Sequence, residues 1–126
     1  MKIKAAELNG IALDYAVAVA EGGTGLWHDT VSTWWIQLGL EGRALKKGWA
    51  QAFTPSTDWS QGGQIIERER ISIRQNVSGT LGYIIGKDGD DFHGPGAGPG
   101  QPLVAAMRCY VASKLGDQVD VPKELA

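Results

Sequence analysis

A single cysteine, Cys109, rules out an intrachain disulfide and fits a reducing compartment. Only two histidines, His28 and His93, leave little for metal ligation or for acid–base catalysis near neutral pH. Positive charge is not in excess: 12 Lys and Arg stand against 14 Asp and Glu, a formal net charge of −2. A DNA-binding face needs surplus cations, because neutralising phosphates supplies most non-specific affinity. Nucleic acid and acidic membranes are therefore not the expected partners. No apolar run approaches the ~20 residues of a membrane span. Lys2 and Lys4 precede an apolar stretch ending in Ala16–Ala20, which superficially resembles a signal peptide. Glu7 and Asp14 interrupt it, and a helix explains the stretch better.

What is present describes one α+β domain over residues 1–126. At 126 residues, 43% apolar and 21% charged, the chain can bury roughly two-thirds of its unfolded surface around one core. No repeat, heptad pattern or linker divides it. A helix is predicted from Asn9 or Gly10 to Glu21, with Asn9 as cap and Gly22-Gly23 as stop. Asp14 and Glu21 share one face and Ala12, Ala16 and Ala20 another, so the helix is apolar almost all round and should be buried on several sides. A second helix is predicted from Pro102 to Leu115, opened by Pro102 and closed by Gly116. Its small-residue face, Ala105, Cys109, Ala112 and Ser113, is expected to pack on the alanine face of the first helix, with Cys109 as a core filler.

Between these flanking helices a small antiparallel sheet is expected. Gln64–Val77 reads as one long strand or two short ones, and Ser78-Gly79 turns it into a hairpin with Leu81–Ile85. Trp49–Phe53 suggests another strand. Asp29–Leu40 is ambiguous, and the pattern favours a helix capped by Asp29. Gly86–Gly100, rich in Gly, Asp and Pro, predicts a mobile exposed loop. The tail from Asp117 should run extended around Pro122.

Few residues suit a catalytic or ligand-binding chemistry. Gly94–Gly100 precedes a helix, but it lacks phosphate-loop spacing and its two prolines remove N–H donors. Asp88–His93 could attract a divalent cation, and with His28 and Asp29 a small hydrolase site is conceivable. It fails as a calcium loop, because Phe92 stands where an oxygen ligand belongs. A solvated acidic turn explains it as well. Cys109 within an apolar helix is an inert thiol. No catalytic residue, metal site or cofactor is assigned.

Two features point instead to binding. On a continuous strand, Arg68, Arg70 and Arg74 would share one face, about 7 Å apart, against Ile71 and Ile73 on the other. A solvated strand face is the plainer account. All five tryptophans fall between Trp27 and Trp59. Most should be core, but Trp59 sits in Thr54–Gly63 among turn formers, where it either plugs the core edge or anchors an interface. Asp58 should order that turn through backbone hydrogen bonds. The candidate binding residues are Asp58, Trp59, Gln61, Arg68, Arg70 and Arg74.

Three blocks resemble the NinX-like family of small lambdoid phage and prophage proteins, a family of unknown function. They are Glu7–Asn9-Gly10 through Leu13–Ala18 with Glu21-Gly22, Pro55–Glu69, and Pro102–Asp117 with Val121-Pro122. Gly23–Gly48 and Asn76–Gly100 follow no family pattern, and Gln64 stands where the family has proline. The resemblance implies a phage or prophage protein acting in the bacterial cytoplasm and supplies no catalytic residue. The expected function is a non-enzymatic accessory protein that binds a macromolecule, a protein ahead of a nucleic acid. A metal-dependent hydrolase and a single-strand nucleic-acid binder are the alternatives. Oligomeric state is not legible.

Overall fold

In the computed structural model, which describes residues 1–86 and 89–126, the two predicted helices form first and last, as α1 (Gly10–Ala20) and α3 (Pro102–Leu115). Pro102 occupies the first turn of α3 and Gly116 closes it. Asn9 has the extended backbone of a cap, but its side chain makes no capping hydrogen bond.

Three small antiparallel sheets accompany the helices among the described residues, which makes the fold α+β. β1 (Lys2–Lys4) pairs with β8 (Gln118–Asp120), so the extended tail returns to the start of the chain. β2 (Thr24–His28), β3 (Trp34–Leu38) and β4 (Glu41–Ala44) form a meander. β5 (Ile71–Asn76) and β6 (Gly79–Ile84) form the predicted hairpin, and β7 (Phe92–His93) pairs with β6. α3 is the central element, packing on α1, on α2 (Trp59–Glu69), on β5 and on β6.

Four local expectations are corrected. Asp29 does not cap a helix. Its Oδ1 accepts the N–H groups of Val31, Ser32 and Thr33 at 2.9, 2.8 and 3.1 Å, which closes a turn. Trp34, Trp35 and Ile36 then run as β3, because β-branched and aromatic residues suit a half-buried pleated surface. Gln64–Glu69 is not strand but the second half of α2, started by Asp58 and ended by Arg70 in the left-handed conformation (φ 55°). Trp49–Phe53 contributes only a bridge from Ala52 to Ala44. Within the predicted loop 86–100, β7 forms and Ala97 bridges to Thr80, while residues 87 and 88, including Asp88 of the acidic run, lie outside the described residues.

α1 and α3 do pack together, and the Ala105–Cys109 face of α3 also meets glycines. A Cβ on Gly94 would lie 2.6 Å from Cys109 Cβ, and one on Gly82 would lie 2.8 Å from the Ala105 carbonyl oxygen. Only a bare backbone can approach a helix so closely. Cys109 is fully buried, as expected of a core filler, and burial pushes its thiol up to about 11. The core continues through Leu13, Val17, Ile36, Met107 and Val111.

Candidate functional site

The segment Thr54–Gly63 is built as the start of α2. Asp58 is the N-cap: its Oδ1 accepts the Ser60 N–H at 2.9 Å and the Ser60 hydroxyl at 2.7 Å. Three residues on, the Gln61 side chain reaches back, donating to Asp58 Oδ2 at 2.9 Å while its Oε1 accepts the Thr54 N–H at 3.0 Å. The hydrogen bonds from Ser60 and then from Gln61 hold the Asp58 carboxyl below the usual carboxylate range. Asp58 orders the turn, as its sequence setting predicted. Asp58 and Gln61 spaced as cap and N3 form a variant of the capping box, a local signal of the helix that the strand expectation for Gln64–Val77 passed over.

A second anchor was not foreseen. Asp14, read as part of a polar face of α1, is buried at 5% exposure, and its Oδ1 accepts the Ser56 N–H at 2.9 Å. Burial pushes its pKa up to about 6, opposed by the Ser56 N–H, the Ser56 side chain and the charge of Lys47. The Ser56 hydroxyl is itself buried without a well-formed hydrogen bond. A lone carboxylate on an otherwise apolar helix was the signal that could have marked this contact. Gly62 completes the fit: a Cβ there would lie 2.5 Å from both Leu103 Cδ1 and the Pro55 carbonyl oxygen.

The far end of α2 is also pinned. Arg68 donates from Nη1 and Nη2 to Glu21 at 3.0 and 2.8 Å, and from Nε to Glu69 at 2.8 Å. The Tyr110 hydroxyl donates to Glu21 Oε2 at 2.8 Å. The carboxylates of Glu21 and Glu69 stabilise the charged guanidinium, and its pKa is raised. The structure therefore does not place Arg68, Arg70 and Arg74 on one strand face. Arg68 is a clamp at a helix end, Arg70 is the left-handed cap, and Arg74 lies on β5; the last two are exposed.

Between these anchors Trp59 is the first residue of α2 and remains 54% exposed. It stands as a ridge between two clefts. One, of about 430 Å³, is lined by Lys47, Trp49, Thr54, Asp58 and Gln61. The other, of about 280 Å³, lies against Gly100–Val104 at the start of α3. Asp58, Trp59 and Gln61 are marked by the sequence as candidates, whereas Lys47 and Trp49 are brought to the same cleft only by the fold.

The two histidines proposed for a metal lie on different sheets. His28 packs edge-on against Trp34 at 4.9 Å, whereas His93 stacks on Tyr83 at 5.9 Å on a different sheet. Among the described residues no group of three or more His, Cys, Asp or Glu could hold a metal ion.

Comparison with protein families matches residues 4–114 to the family described as Bacteriophage P22, NinX. The chain belongs to the NinX family. The match takes in the Glu7–Gly22 and Pro55–Glu69 blocks and most of Pro102–Asp117, so it includes the anchors Asp14 and Ser56, Asp58 with Gln61, and the Trp59 ridge. It also spans Gly23–Gly48 and Asn76–Gly100. No curated protein matches the chain. Among the described residues no helix is long and apolar enough to cross a membrane.

Proposed function

We infer that this NinX-family chain is a phage accessory protein that works by binding a protein partner in the bacterial cytoplasm, without catalysis. The supporting observation is Trp59. It is held at the start of a helix pinned at both ends, yet more than half of it faces solvent. A large aromatic side chain presented rigidly beside clefts loses little conformational entropy on binding, which is the character of an interface hot spot. Asp58 and Gln61 form its polar border, with Arg70 and Arg74 as exposed charges further along the chain.

The test is capture of partners from a bacterial host lysate on immobilised wild-type protein and on Trp59→Ala. Both proteins are first matched for helix content and unfolding midpoint. A partner retained by the wild type and lost by the variant is the expected result. Equal retention by both would exclude the Trp59 ridge as the contact. The hydrolase alternative draws no support from the separated histidines.

A further inference from the structure

No further inference is drawn: the strongest candidate, the surface patch of Trp27, Trp35 and Trp49 on the outer face of the β2–β3–β4 sheet, is bordered by charges of both signs, and nothing in the structure shows what covers it.

Discussion

The carboxylate of Asp14 on α1 accepts the N–H of Ser56 at 2.9 Å, joining two buried residues 42 positions apart and fixing the approach to α2. Burial has pushed the Asp14 pKa to about 6, against roughly 3.9 in an unfolded chain. The folded state therefore binds this proton more readily. The group's stabilising contribution is fully present below about pH 4 and is lost as pH rises through about 6, a change on the order of 3 kcal/mol at most. Asp14→Asn keeps an acceptor for Ser56 and removes the titration. Urea unfolding at pH 5 and pH 8 should show this component in the wild type and not in the variant. An equal pH dependence in both would locate it elsewhere.

Gly62 and Gly63 should respond in opposite directions. A Cβ on Gly62 collides with Leu103 and the Pro55 carbonyl oxygen, whereas one on Gly63 meets nothing within 4 Å. Gly62→Ala is expected to cost about 1–3 kcal/mol through overpacking. Gly63→Ala, within the interior of α2, is expected to gain about 0.5–1 kcal/mol. Denaturant midpoints of the two variants decide the matter.

Arg70 holds a left-handed conformation (φ 55°, ψ 46°) at the end of α2, where glycine is the unstrained choice. Arg70→Gly should stabilise the fold by roughly 0.5–1 kcal/mol, the relief of strain being partly offset by greater freedom in the unfolded chain. A lower unfolding midpoint would show that the arginine side chain contributes more than its backbone loses.

Tyr110 is buried, and its hydroxyl donates to Glu21, the same carboxylate that Arg68 grips. Tyr110→Phe keeps the packing and deletes one hydrogen bond to a charged acceptor. The expected loss is about 1.5–3 kcal/mol, read as a shift in thermal or urea unfolding. The Arg68–Glu21 pair is half-exposed, so charge removal at Arg68 should change stability less than the number of its bonds suggests.

Misreading of α2 shows where local signals competed. Ile65, Ile66 and Ile71 raised the strand propensity of Gln64–Val77, and Gly62-Gly63 looked like a loop. The capping pattern Asp58–Gln61 pointed the other way, and it prevailed because tertiary packing rewards the helix: Gly62 fits beneath Leu103, and Ile65 enters the core. The tryptophans were legible as a cluster along the chain but not as a surface. Their exposure depends on which face of β3 turns inward, and on a segment whose helix and strand tendencies were balanced.

The sequence by itself determined α1, α3 and the β5–β6 hairpin, because caps, stops and turn residues act within a few positions of the elements they bound. It also determined the family blocks, and that Asp58 orders its own turn. Only the tertiary structure decided that Asp14 is buried against Ser56, that Arg68 clamps Glu21 instead of lining a strand, and that Trp59 shares a cleft with Trp49. Each joins residues distant in sequence or on separate elements, and burial or exposure at such contacts follows from how the whole chain packs rather than from any local propensity.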